Sequence, residues 1–434
     1  MTIRRRAPHA GTTPLTEPPS PAAPERAPPA GTDEWRLGWP LVSAAMLGAG
    51  LGPGLYQNLS SLFTPGLERS FGWSRGEIAT AAGLALLGAL AAPLIGRTAD
   101  RFGVRPVITA SMLLLGIAYL WLASIGGAIW RYQIGVVLLV LTIPGTSSLA
   151  YGKLIAAAFE RRRGLALALG TSGLALATIV AAPALGWVIG RYGWRYGFVA
   201  LAAGSSVLAL PLILLAIRRA PRAIVAPRAP PSEASGVSAR DARRDRRFWI
   251  LVTSALLINA ATTGLVTQLV PIGIEFGQSA AQAALLLTAF AASAIAGRLM
   301  VGVLVDRLRP QPVAAGFALV SAVAFVLLAL APQGQATLLL LVFLAGLMNG
   351  AENDLLPFFA ARLFGLRAYA EIYGTAMPLA LSGTAMGIIG FGRLHDATGT
   401  YTPALACGAG ALLLACCCFL LLPDRALPGS GETL

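Results

Sequence analysis

From Trp35 onward, long apolar runs alternate with short breaks of Gly, Pro and Arg. The runs fall at about 37–63, 78–96, 106–126, 132–157, 164–188 and 196–217, then at 248–272, 282–304, 311–331, 336–360, 369–392 and 402–422. Each is long enough to cross a hydrocarbon core of about 30 Å at about 1.5 Å per residue, so twelve transmembrane helices are predicted. The chain is read as all-α, with two six-helix bundles at 35–217 and 248–425.

The flanking segments have another character. Residues 1–34 are Pro-rich and polar, open with Arg4, Arg5 and Arg6, and lack the apolar core of a signal peptide, so a disordered tail is expected. Residues 218–247 hold nine arginines against Glu233, Asp241 and Asp245, with Pro and Ser between them, and read as a flexible connector. Residues 426–434 form a short C-terminal tail.

Composition strengthens the membrane reading. Only 12% of the 434 residues are charged, whereas a soluble chain carries about 25%. The 49 glycines suit helices that approach closely in lipid. A net charge of +14 would fit a nucleic-acid partner, but the arginines sit in short clusters between apolar runs. Those clusters, such as Arg97/Arg101/Arg105, Arg161/Arg162/Arg163 and Arg307/Arg309, fall on alternate loops. The positive-inside rule then places both termini and the connector in the cytoplasm of a plasma membrane, the inner membrane of a bacterium. Cys407, Cys416, Cys417 and Cys418 all lie in the last run. Consecutive cysteines on a helix point about 100° apart and cannot converge on one metal. No cofactor is expected.

An internal repeat links the halves. Gly96-Arg97-Thr98-Ala99-Asp100-Arg101 after the second run and Gly302-Val303-Leu304-Val305-Asp306-Arg307 after the eighth both read G-x-x-x-D-R, and Arg-Pro follows each. A weaker echo links Arg163…Gly170-Thr171 to Arg367…Gly374-Thr375. Parallel repeats that rock about a central cleft are the architecture of alternating-access carriers. Glycine allows tight packing at the helix end, and the aspartate can pair with arginines or cap a neighbouring helix. Gly96, Asp100, Arg101, Gly302, Asp306 and Arg307 are therefore read as a conformational latch.

These paired motifs resemble the signature loops of the major facilitator superfamily. Phe71-Gly72-Trp73-Ser74-Arg75-Gly76-Glu77-Ile78, Gly193-Trp194-Arg195 and Ala351-Glu352-Asn353-Asp354 leading to Arg362-Leu363-Phe364-Gly365 are similar to bacterial members of its monocarboxylate transporter and oxalate–formate antiporter branch. The resemblance implies the major facilitator fold and a small organic anion as cargo. In that branch an arginine at this place in span eight binds the substrate carboxylate, and Arg298 is the matching residue.

The residues themselves point the same way. Arg298 lies within the apolar run Ala289–Val305, where a guanidinium is costly unless paired or hydrated, so it should face the cleft. Its planar fork matches a carboxylate. Snorkelling to the cytoplasmic surface, or pairing with Asp354, is the plainer alternative. Glu352 and Asp354, at i and i+2 in span ten, face different sides and should have different partners. Either is a candidate for proton coupling or for a structural ion pair. Lys153, the only lysine, serves the cleft or snorkels, and Tyr151 offers a phenol that can donate to a carboxylate, as a tyrosine at a similar place does in the resembled branch. Tyr56-Gln57-Asn58 interrupts span one near Gly52-Pro53-Gly54. The proton-coupled eukaryotic relatives carry a lysine near Gln57, so simple lysine-mediated symport does not transfer. Asn259, Thr263 and Gln268 are candidate cleft lining, and His395-Asp396 is read as loop chemistry.

The expected function is secondary transport of a small organic anion, monocarboxylate-like, by proton symport or exchange, with a monomer as the working unit. An exporter of drug-like or other amphipathic compounds is the alternative, with a transport-dead receptor behind it. No nucleotide-binding or hydrolase motif is present, so neither ATP-driven transport nor enzymatic activity is expected.

Overall fold

A computed structural model describes residues 31–82, 98, 101, 104–146, 151, 155, 159, 163–219, 237–331, 334–365 and 368–423. The described chain is helical: α1 (Gly31–Gly50), α2 (Pro53–Leu59), α3 (Thr64–Phe71), α4 (Arg75–Ala82), α5 (Val104–Ser124), α6 (Ile129–Leu141), α7 (Arg163–Tyr192), α8 (Trp194–Arg219), α9 (Arg246–Glu275), α10 (Ala280–Arg307), α11 (Pro310–Ala329), α12 (Gln335–Phe364), α13 (Tyr369–Thr398) and α14 (Thr402–Leu420). Among the described residues, nine helices are long and apolar enough to cross a membrane. Side chains such as Ile117, Trp187, Val207 and Leu299 stand exposed on the outside of the bundle, as lipid contact requires.

Several predicted runs differ from the helices. The run at 37–63 is interrupted: α1 stops at Gly50, the chain bends through Leu51 and Gly52, and Pro53 opens α2. Proline suits the first helical turn, where its missing N–H is no loss. Helix α1 starts at Gly31, inside the segment expected to be a disordered tail, and α9 starts at Arg246, inside the expected connector. The run at 132–157 breaks at Thr142, whose hydroxyl donates to the Leu139 carbonyl. Residues 147–157 other than Tyr151 and Ile155, and the run at 78–96 beyond Ala82, lie outside the described residues.

Two glycine-mediated contacts set the close approaches. A Cβ on Gly297 or Gly350 would land on the backbone of the partner helix, so α10 and α12 touch backbone to backbone. Gly383 and Gly387 do the same for α13 against α9. Small residues at such crossings replace the hydrophobic drive that lipid cannot supply. Among the described residues, the first and second series of helices meet most extensively along α7 against α10 and α4 against α13, with further contact between α2 and α9.

Candidate functional site

Arg298 follows Gly297, so the close α10–α12 crossing carries its side chain to both seam and neighbour. Its Nη1 donates to the Thr171 hydroxyl of α7 at 2.8 Å, across the seam. Its Nε lies 3.2 Å from Asp354 Oδ2 on α12, an ion pair between side chains 19% and 44% exposed. The Nε–H is not aimed at that oxygen, and Nε is a buried nitrogen without an acceptor among the described residues. The pair is a charge contact with an unfilled donor.

Glu352 is buried two residues from Asp354, on another face of α12. One of its oxygens accepts from the Asn259 amide of α9 at 3.1 Å. The Asn259 carbonyl in turn accepts from Thr384 of α13 at 3.4 Å, and Thr262 donates to Asn349 one turn along. Asn259 therefore holds Glu352 from three helices' worth of polar contacts. No cation lies within ion-pair distance of Glu352 among the described residues.

Tyr56 and Gln57 line a small, partly open cavity of about 40 Å³ that α2 and α6 share with Thr267 of α9 and Ile388 of α13. Its walls are mainly aliphatic, including Val136, Leu139 and Val140. Tyr56 is committed to Tyr132 at 2.9 Å, Ser60 to the Gln57 carbonyl and Thr267 to its own helix. The Gln57 amide makes no hydrogen bond among the described residues. Helix α7 acts as a ruler for depth. Thr171 meets Arg298, Leu174 meets Gly54 and Thr178 accepts from Asn58, so the cavity begins about 5 Å and reaches about 10 Å beyond the guanidinium level at about 1.5 Å per residue.

Tyr151 is buried with its hydroxyl unpartnered among the described residues, and its ring fills the space over Gly48 of α1. Gly170 meets Ala45 and Gly173 meets Met46 on either side of Thr171, which puts the phenol at nearly the depth of Arg298. Gln268, expected in the cleft, is instead buried and accepts from the Tyr401 hydroxyl at 2.8 Å. Lys153, Gly96 and Asp100 lie outside the described residues, as does the side chain of Asp306. Arg101 and Arg307 are exposed. Gly302 is exposed too, and a Cβ there would meet no described atom within 4 Å.

His395 and Asp396 are not loop residues. They sit in the last turn of α13, facing α4 at the membrane face opposite the Arg219 and Arg307 helix ends. Asp396 Oδ2 accepts from Ser74 Oγ at 2.7 Å and from the Gly76 N–H at 2.9 Å. The sequence carries one signal for this, the Ser74-x-x-Glu77 capping box, and both of its hydrogen bonds form.

Residues 45–377 match the sequence profile of the Major Facilitator Superfamily. The chain belongs to that superfamily. Monocarboxylate transporter 13 of Bos taurus is 30% identical over 333 residues, covering 74% of each chain. Monocarboxylate transporter 11 of Homo sapiens is 27% identical over 424 residues, 93% of this chain and 86% of that one. The 3-(3-hydroxy-phenyl)propionate transporter of Escherichia coli (strain K12) is 28% identical over 384 residues, 86% and 91%. Among solved structures, a D-xylose-proton symporter superposes with a TM-score of 0.71 at 14% identity, covering 90% of this chain and 99% of that one. An inward-facing, unoccupied bacterial homolog of the human lysosomal transporter Spinster gives 0.69 at 16%, covering 92% and 100%. This major facilitator chain is an integral membrane transporter that resembles the monocarboxylate branch, and its fold is the all-α fold of the superfamily.

Proposed function

We propose that the chain carries small monocarboxylates with an apolar body across the plasma membrane by alternating access, and that Arg298 anchors the carboxylate. The observation that carries this reading is the seam position of Arg298, bonded to one half, ion-paired in the other and left with an unfilled Nε–H. An incoming carboxylate offers two oxygens to that fork, replacing a misaligned charge contact with paired hydrogen bonds. Tyr151, at matching depth with a hydroxyl that meets no partner among the described residues, is the second donor. The aliphatic cavity some 5–10 Å beyond receives the rest of the molecule, and the Gln57 amide takes a polar substituent there. Relatives named for monocarboxylates and for a hydroxyphenylpropionate support this cargo class.

Proton coupling belongs to Glu352 in this scheme. Asp354 already has Arg298 beside it, whereas Glu352 has an amide and, among the described residues, no ion-pair partner. The two bundles, 35–217 and 248–425, act as the rocking bodies of a monomer, with the arginine-rich face in the cytoplasm.

Uptake of labelled 3-phenylpropionate, lactate, formate and oxalate into proteoliposomes tests the anchor. Arg298→Ala should lose at least about tenfold in uptake of every acid, the effect of one charged hydrogen bond worth about 1.5–3 kcal/mol. Arg298→Lys should recover part of it, since an ammonium keeps the charge without the fork. Undiminished uptake by the alanine variant would remove the anchor, and transport of lipophilic cations instead of acids would favour the exporter.

A further inference from the structure

Between α7 and α8, on the outside of the first series, lies an apolar groove of about 170 Å³ that the transport site does not use. Its walls are Ala181 and Ala184 of α7 and Ala200 and Gly204 of α8, over a floor of Leu51 and Leu55 beside the α1–α2 break. Ala184 is exposed at the mouth, and the exposed Val180 and Val207 mark this side as lipid-facing. The backbone of α8 passes into a π-helical turn over Ala203–Ala209, a departure from the α-helix that is frequent at functional sites. A Cβ on Gly204 would meet only Leu51, at 3.8 Å, among the described atoms, so the groove is left open there.

The end of the groove away from the Arg219 helix end is aromatic and basic. Arg191 lies two turns beyond Ala184 on the same face of α7, and Tyr196 lies one turn before Ala200 on α8. The rings of Tyr192 and Tyr196 approach to 5.9 Å between the two helices, and Trp187 stands 5.9 Å from Tyr192. All three are more than half exposed. Trp194 donates to Ser70, close in the chain to the Ser74 that meets Asp396, so this end shares the membrane face of Asp396. Arg195 is occupied within its own bundle by the Ile125 carbonyl and the Trp194 ring. Arg191 is exposed, makes no ion pair among the described residues, and has no acidic residue in the stretch 179–217.

We propose that this groove binds one anionic phospholipid of the outer leaflet, with an acyl chain between α7 and α8 and the headgroup phosphate on Arg191. The lengths agree. Ten residues separate Arg191 from Ala181, about 15 Å at about 1.5 Å per residue, which is half of a hydrocarbon core of about 30 Å. A guanidinium fork matches two phosphate oxygens. Trp and Tyr belong at the level where headgroups meet hydrocarbon, which is where Trp187, Tyr192 and Tyr196 stand. An anionic headgroup leaves the fork unopposed, whereas a choline brings a competing cation. The volume admits a chain and not a helix, whose diameter is about 10–12 Å.

Native mass spectrometry of the delipidated full chain, titrated with phosphatidylglycerol or phosphatidylcholine, tests the site. One phosphatidylglycerol should bind about tenfold more tightly than phosphatidylcholine, as one charge-assisted hydrogen bond supplies. Arg191→Gln should remove that preference. Ala184→Phe should plug the mouth and weaken both lipids, and because Ala184 is exposed the added ring meets no packed core. Arg131→Gln is the control: it removes an exposed arginine from the same membrane face, away from the groove, and should leave binding unchanged. Phosphatidylglycerol binding that survives either Arg191→Gln or Ala184→Phe, or that Arg131→Gln lowers as much, overturns the site. So does a lipid-free dimer that Ala184→Phe dissolves, which would give the groove to a second copy of the chain. None of these readouts needs a transported substrate, so they stand even if Arg298 proves not to hold the carboxylate.

Discussion

At the scale of single residues, Glu352 separates coupling from carriage. A glutamine there keeps the shape and the hydrogen bond to Asn259 but takes up no proton. Glu352→Gln is expected to lose the stimulation of uptake by an acidic exterior while retaining counterflow, as measured by labelled-acid exchange at equal pH on both sides. Equal loss of both activities would make Glu352 a structural residue. Arg298 was legible in the sequence because a guanidinium inside an apolar run demands a partner. Thr171, 127 positions away on another helix, was not, since nothing in the local pattern marks one hydroxyl among many as the receiver. The same limit applied to Gln268, whose partner Tyr401 is 133 positions distant, so an amide that reads as cleft lining is a buried cross-helix bond. His395 and Asp396 carried too few neighbours in sequence to reveal a cluster assembled from α3, α4, α9 and α13.

At the scale of helices, apolar period and length gave most of the spans, because lipid imposes a length on each. They did not give the breaks inside spans, where one glycine or proline decides. Helix pairs are held at backbone distance by glycines, and the two kinds of glycine are separable by experiment. Gly350 faces the Ala294 backbone, whereas a Cβ at Gly410 would meet no described atom within 4 Å. Gly350→Val should therefore destabilise the fold by about 1–3 kcal/mol through overpacking, and should move Asp354 away from Arg298 as well. Gly410→Ala should leave stability unchanged or raise it slightly, since alanine is the better helix former. Fluorescence size-exclusion after heating in detergent ranks both, and a loss at Gly410 matching that at Gly350 would refute the packing argument.

At the scale of the whole molecule, charge balance across the seam sets how the cycle is driven. Arg298 and Asp354 offset each other, so a bound carboxylate adds one uncompensated negative charge to a region walled by aliphatic side chains. Moving such a charge through a low-dielectric interior costs several kcal/mol. A proton taken with the substrate removes that cost, whereas return of the site with another anion leaves it in both crossings and cancels only the net charge moved per cycle. Either way the loaded and returning forms carry the same charge. Uptake into empty proteoliposomes should rise as the outer medium is acidified relative to the interior, and it should not respond to a potassium diffusion potential set with valinomycin. Uptake that needs a preloaded anion at every pH gradient would assign the cycle to exchange. A strong response to potential would show that net charge crosses with each turnover, which a lone carboxylate on Arg298 with an ionised Glu352 would require.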